Sequence, residues 1–430
     1  MISSEQLFDE LWPLNRSLTG DGNRETLRIL SKISDININE IPSGTKLFDW
    51  SVPPEYNIKR AYILNSKKER IIDFKVNNLH LVGYSEPISK WMNFSELEEH
   101  LHYIEEMPDA IPYVTSYYQS YWGFCMTYNQ FKSLNREENY YVHIESVKDP
   151  KGTMTIGERF FKGQIDKEIL ISTYICHPSM ANNELSGPIL TIFLQKMIEN
   201  YKERYYSYRF VYVPETIGAL AVLDKYGESL KSNLVAGFVV TCVGDSGQPT
   251  FKKSRKGNTL IDRLVEFKLK EKYKNFILED FFPTGSDERQ YCSPYFNLPV
   301  CSLMKTRYGR YKEYHTSLDN KELMDFNEID EFTNFYFEIL SDFEKLKLYT
   351  VSKGKGEPFL NKYSLYQSIG ANKKIPNQTN LTLWILNKID KDFDLIDLAN
   401  ATGSTITDIS SICELLKDKG LLREFEKNEE

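Results

Sequence analysis

The chain has 430 residues, 41% of them hydrophobic and 27% charged, which is the composition of a folded, soluble protein long enough for two or three domains. Its formal charge of −8 opposes any general attraction to nucleic acid or to an anionic membrane. Residues 1–9 are polar and acidic, with no apolar core of a signal peptide, and no run approaches the ~18 apolar residues of a membrane helix.

In chain order, Leu7, Leu11 and Leu14, then Leu27, Leu30 and Ile33, recur at near-helical spacing. Residues 3–33 therefore read as helical, with a break at 19–22, where two glycines flank Asp21. From about Pro42 the apolar runs become short and are separated by turn residues, so 48–150 reads as β-rich with one helical patch at 94–104. An apolar strand at 168–176 runs directly into His177-Pro178, and a helix follows over 186–201. A second strand at 209–213 ends in Pro214-Glu215 and leads to a helix reaching about Leu230. Further strands at 235–242 and 299–304 alternate with helices at 260–272 and 328–346. Strands alternating with helices imply an α/β fold with a mostly parallel sheet covered on both faces. Residues 351–378, rich in Gly, Lys, Pro and Asn, read as a linker. Three short helices at 381–389, 395–401 and about 406–419, closed by Gly420, have the layout of a helix-turn-helix or winged helix.

The six cysteines are scattered and form no CxxC pair, so free thiols in a reducing, cytoplasmic compartment are expected. The six histidines are the other informative residues. His177 follows an apolar strand, where open α/β sheets bind ligands. Glu215 follows the next strand and is placed to ligate a metal or to act as a general base. His315 lies in a polar loop near Asp319, and either Asp319 or a backbone carbonyl is available to orient the imidazole. The loop 284–290 adds Asp287, Glu288 and Arg289. Zinc catalysis needs about three protein ligands and one open position. No HExxH pattern is present, so the ligands must converge from separate loops.

The motifs His177-Pro-Ser-x-Ala-Asn-x-x-x-Ser-Gly, Pro214-Glu-x-Ile-Gly, Gly285-Ser-Asp-Glu-Arg-Gln and Tyr314-His-Thr-Ser-x-Asp resemble those of the co-catalytic zinc aminopeptidase superfamily. More closely, together with 13–22 and 111–118, they resemble the bacterial polysaccharide biosynthesis proteins with an aminopeptidase-like domain. The resemblance implies an aminopeptidase-like α/β domain over 151–350, whose N-terminal helical part is 1–47. It also implies an inserted β-rich domain at 48–150 and a winged helix at 375–430. Its motif positions imply zinc ligands at His177, Asn183 and His315, with Glu215 as general base. The sequence departs from the pattern where Asn182-Asn183 stands in place of Asn-Asp, which leaves Glu184 as a substitute ligand. Thr216 and Thr241 stand where the wider superfamily carries carboxylates. One zinc site is therefore expected rather than two.

The implied function is a zinc-dependent hydrolase of the aminopeptidase type that cleaves a peptide or related amide, with Asp287 or Arg289 holding the charged end of the substrate. The alternative is a catalytically impaired scaffold with a protein-binding or regulatory role. Residues 379–430 carry 6 Lys plus Arg against 11 Asp plus Glu, a net of −5. That charge does not suit phosphate neutralisation, so the C-terminal unit is expected to engage protein, including a second copy of the chain, rather than DNA.

Overall fold

The strands Glu168–Tyr174 and Ser207–Val213 are buried at every position, as parallel strands covered on both faces must be. In the computed structural model, which describes residues 2–365, 377–390 and 392–425, they lie inside an eight-stranded sheet. Its order is Asn37–Pro42, Thr153–Phe161, Ser207–Val213, Glu168–Tyr174, Leu234–Val239, Val300–Met304, Thr250–Lys252, Ile277–Glu279. The four central strands, from Ser207–Val213 to Val300–Met304, are mutually parallel. Antiparallel pairs join them to Thr153–Phe161 on one side and Thr250–Lys252 on the other.

From Glu168–Tyr174 the chain crosses first to Ser207–Val213 on one side, then to Leu234–Val239 on the other. This reversal opens a crevice at the carboxyl ends of the strands, where ligands bind in open α/β sheets. The crossover helices are Ser186–Asn200 and Ile217–Asn233. Tyr212 donates its hydroxyl to Gln195 of the first helix. Its neighbours Val211 and Val213 pack in one cluster with Leu220 and Leu223 of the second. Successive strand residues face opposite sides, so the two helices cover opposite faces. The expected α/β architecture is present.

The β-rich segment forms its own antiparallel sheet, ordered Arg70–Asp73, Glu55–Leu64, Asn139–Asp149, Ile88–Asn93. Ala61, Ile63, Ile72, Val142 and Ile144 belong to its separate core. The expected helix at 94–104 is only Phe94–Glu98. Beyond it, Leu101–His102 pairs with Phe124–Cys125, and that pairing outweighs the helical periodicity. Asn37–Pro42, in a segment read as helical or connecting, is the edge strand of the main sheet.

The chain divides into two units, Met1–Asp262 with Asn275–Phe335, and Arg263–Lys274 with Tyr336–Glu430. The second contains helices Asn377–Lys388, Leu395–Thr402 and Ile406–Asp418, and the antiparallel strands Tyr349–Val351 and Leu422–Glu424. This is a winged helix, whose first strand precedes the expected boundary at 375 and lies partly inside the expected linker. Of that linker, 366–376 falls outside the described residues. Among the described residues no helix is long and apolar enough to cross a membrane.

Candidate functional site

Three loops at the carboxyl ends of the central strands converge. His177 stands three residues beyond Tyr174, and Glu215 two beyond Val213. Asn183 sits, with non-helical backbone angles, in the π-helical turn Ala181–Leu185 that precedes the first crossover helix. Gly187 lets that helix approach the strand end, because a Cβ there would lie 2.5 Å from the Val240 carbonyl oxygen. His315 comes from the loop after Val300–Met304. Ser179, Thr216 and His315 on these loops, and Cys242 beyond the neighbouring strand Leu234–Val239, have φ between 46° and 66°. Such strain in residues with side chains persists only where surrounding contacts enforce it.

The structure brings His177, Asn183, Glu215 and His315 together. The rings of His177 and His315 have centroids 5.5 Å apart. His315 Nε2 lies 3.1 Å from Asn183 Oδ1, and His177 Nε2 lies 3.8 Å from Glu215 Oε2. On the far side of its ring, His177 Nδ1 lies 3.2 Å from Glu184 Oε2. Burial and the charge of His177 push the His315 imidazole down to about 3, so it is neutral. For His177, burial opposes the charged form, but the Glu184 carboxylate outweighs it and the net shift is upward. Burial raises the Glu215 carboxyl against the opposing pull of His177 and Arg289.

Asp287 and Arg289 occupy a different place from the one expected. Asp287 is fully buried, and its Oδ1 accepts the Thr216 N–H at 2.6 Å. Arg289 Nη2 donates to Thr216 Oγ1 at 2.7 Å. The pair braces the strained turn beside Glu215, and neither residue lines the cavity over the site. Burial and the neighbouring Glu215 charge hold the Asp287 carboxyl well above its ordinary range.

Glu184 is also not available as the substitute ligand. One oxygen accepts from Arg16 Nε at 2.6 Å, and the other accepts the backbone N–H groups of Cys176 and His177. Among the described residues, Cys176, His177 and Glu184 form the one group of three His, Cys, Asp or Glu side chains with donor atoms within 4.8 Å of one another. The Glu184 carboxylate is committed to Arg16 and the loop backbone, so this group supports His177 from behind. Asp319 does not orient His315. Its carboxylate accepts the N–H groups of Asn182 at 2.6 Å and Asn183 at 3.0 Å, which fixes the turn that carries Asn183.

Several site residues have no role assigned from the sequence, although Tyr113 and Tyr314 lie within the matching stretches. Tyr314 stacks on His315 at 3.9 Å, and Tyr113 packs against both histidines. Asn183 Nδ2 donates to the Tyr174 hydroxyl, which lies 2.5 Å from Thr241 Oγ1. A cavity of about 390 Å³ covers the site and is lined by Trp50, Tyr113, Tyr117 and Tyr118 together with His177, Glu215 and His315. The four other histidines lie in the β-rich segment, each bonded to a local backbone or hydroxyl group.

The donor set suits one zinc. Zinc takes imidazole nitrogen and side-chain oxygen. The 3.1 Å between His315 Nε2 and Asn183 Oδ1 is close to the ~3.3 Å edge of a tetrahedron with ~2.0 Å arms. Thr216 and Thr241 offer only hydroxyls, and both are already bonded.

A family described as a domain of unknown function, DUF4910, matches residues 5–345, and a winged helix-turn-helix family matches 347–424. A protein of Clostridium acetobutylicum, provisionally named a polysaccharide biosynthesis protein with aminopeptidase-like domain, is 42% identical over 97% of this chain and 95% of its own length. A crystal structure from the same organism, provisionally named a peptidase, is similar at TM-score 0.89 and 40% identity, covering 98% of this chain and 96% of that one. A zinc aminopeptidase from Bacillus subtilis shares the fold at TM-score 0.57 and 9% identity, over 80% of this chain and 95% of that one. The chain belongs to the DUF4910 family, an aminopeptidase-like fold followed by a winged helix.

Proposed function

We propose that the protein is a single-zinc amide hydrolase of the aminopeptidase type. The observation that carries this reading is the convergence of His177 Nε2, Asn183 Oδ1, His315 Nε2 and the Glu215 carboxylate beneath one aromatic-lined cavity. His177, Asn183 and His315 would hold the ion, which when bound supplies Lewis-acid polarisation of a carbonyl and a more acidic water. Glu215, a quarter exposed to the cavity, takes the proton from the attacking water and returns it to the leaving amine. Asp287 and Arg289 act through Thr216, holding the turn that aims Glu215. Trp50, Tyr113, Tyr117 and Tyr118 exclude water and present ring faces to the substrate, either a peptide N-terminus or an amide on a sugar. The name of the Clostridium relative favours including glycan amides among the substrates tested. Six buried free cysteines suit a reducing, cytoplasmic setting.

The test is hydrolysis of aminoacyl-anilides and of amino-sugar amides by zinc-loaded protein, with Glu215→Gln as control. Activity that falls by about 10²–10⁴ in the variant supports the assignment. Activity unchanged by the variant removes Glu215 from the chemistry.

One observation favours a second reading, a non-catalytic scaffold. The Asn183 amide, the Tyr174 hydroxyl and the Thr241 hydroxyl form a neutral network that is satisfied by its own members. On that reading the wild-type protein binds little zinc and hydrolyses none of the panel.

A further inference from the structure

Arg16 and Glu184 form a fully buried ion pair, with both side chains at 0% exposure. Their positions are 168 residues apart in the chain. A buried pair is weak evidence for stability, because desolvation of the two charges offsets much of their attraction. The contacts of this pair are directional. Arg16 Nη1 donates to the Leu11 carbonyl at 2.8 Å, and Arg16 Nε donates to Glu184 Oε1 at 2.6 Å. The other carboxylate oxygen, Oε2, accepts the N–H groups of Cys176 and His177 and faces His177 Nδ1 at 3.2 Å.

In the neutral ring, an acceptor at Nδ1 requires the proton there and leaves the lone pair on Nε2. His177 Nε2 is the nitrogen that faces Glu215 and the cavity. The segment that supplies Arg16 is itself pinned. Ser17 N–H donates to Asn23 Oδ1 at 3.1 Å, and Asn23 Nδ2 returns a bond to the Ser17 carbonyl at 2.7 Å. At Gly22 a Cβ would lie 1.9 Å from the Asn15 carbonyl oxygen, so only glycine permits this packing.

We infer that Arg16 is a positioning residue: through Glu184 it fixes the His177 ring with Nδ1 protonated and the Nε2 lone pair turned to the cavity. The N-terminal segment thereby completes a site whose other members come from residues 177–315. The inference rests on the reading of His177 as a ligand.

The experiment uses the full-length chain without metal, labelled with ¹⁵N-histidine, and reads the His177 tautomer by NMR. Zinc affinity is then measured by chelator competition. In the wild type, His177 is expected as the Nδ1–H tautomer; an Nε2–H wild type overturns the inference. Arg16→Met removes the cation that steers the carboxylate. It is expected to mix the tautomers and to weaken zinc binding by about 10–100-fold, the usual effect of losing an outer partner of a metal-ligating histidine. Arg16→Lys, which keeps a charge but cannot serve Leu11 and Glu184 in the same fork, should fall between the two. A folded Arg16→Met with the wild-type tautomer and a Kd within about twofold of wild type overturns the proposal. Should Arg16→Met fail to fold, Arg16→Lys decides by the same two readouts, and wild-type values there overturn it. If His177→Ala leaves zinc binding unchanged, the ligand assignment fails, and the metal-free tautomer still reports on Arg16 directly.

Discussion

At the scale of single residues, Asn183 is the position on which the proposed chemistry turns. Its amide accepts from His315 through Oδ1 and donates to Tyr174 through Nδ2. A carboxylate in its place would accept from both neighbours, since Tyr174 and His315 can each donate. Asn183→Asp is therefore expected to fold. It adds charge compensation for a dication, and zinc affinity should rise by on the order of tenfold or more. Chelator competition on both forms checks this, and an unchanged Kd would show that Asn183 is not a ligand. His177, Glu215 and His315 were legible in the sequence because each sits in a dense polar motif, two of them directly at a strand end. Arg16, Tyr113 and Tyr314 lie in the matching stretches, but their roles, like that of Tyr174, were not legible. Their roles depend on contacts across 9 to 168 positions of chain or on ring stacking that sets no local spacing. Asp287 and Arg289 were legible as polar residues near the site, but which way their loop faces is decided by the Thr216 turn.

At the scale of elements, the central strands were legible because full burial leaves continuous apolar runs. The edge strand Asn37–Pro42 was not, since its alternating burial spreads two isoleucines among polar residues. That edge is tied to the β-rich sheet by an ion cluster. Arg24 bonds Glu40 at 3.0 Å and Glu55 at 2.7 Å. The Arg24 hydrogen bonds hold the Glu55 carboxyl down at about 2, against an ordinary 4.5. A depressed carboxyl contributes stability that is present above its unfolded value and is lost as pH falls through the folded one. The wild type should therefore lose this contribution between about pH 4.5 and 2. Glu55→Gln should be less stable than wild type at neutral pH, and the gap should close toward pH 2. Thermal melts across that range provide the check, and a gap that does not vary with pH would assign the effect to packing instead.

At the scale of the whole molecule, the first unit contains every candidate ligand, and the second contains the winged helix, whose last stretch, 379–430, is acidic. Its helix Leu395–Thr402 begins at Asp394 in a capping box, and Arg263 binds both Asp394 and Asp397. With 6 basic against 11 acidic residues over 379–430, this stretch is poor in the cations that phosphate contacts demand. Gel shifts of the full chain with random duplex at low salt should show little binding, whereas tight, salt-sensitive binding would overturn the charge argument. The winged helix was legible from three short amphipathic helices. Its wing was not, because the strand Tyr349–Val351 runs into the expected linker and finds its partner only at Leu422–Glu424.

The central claim is that loops from separate strands assemble one zinc site. The most direct test is the metal content of zinc-loaded, desalted protein by elemental analysis, wild type beside His177→Ala. The account predicts about one zinc per wild-type chain, as a site of three ligands and one open position requires, and close to none in a variant that keeps its far-UV spectrum. Equal zinc in the two proteins, or none in either, would contradict it.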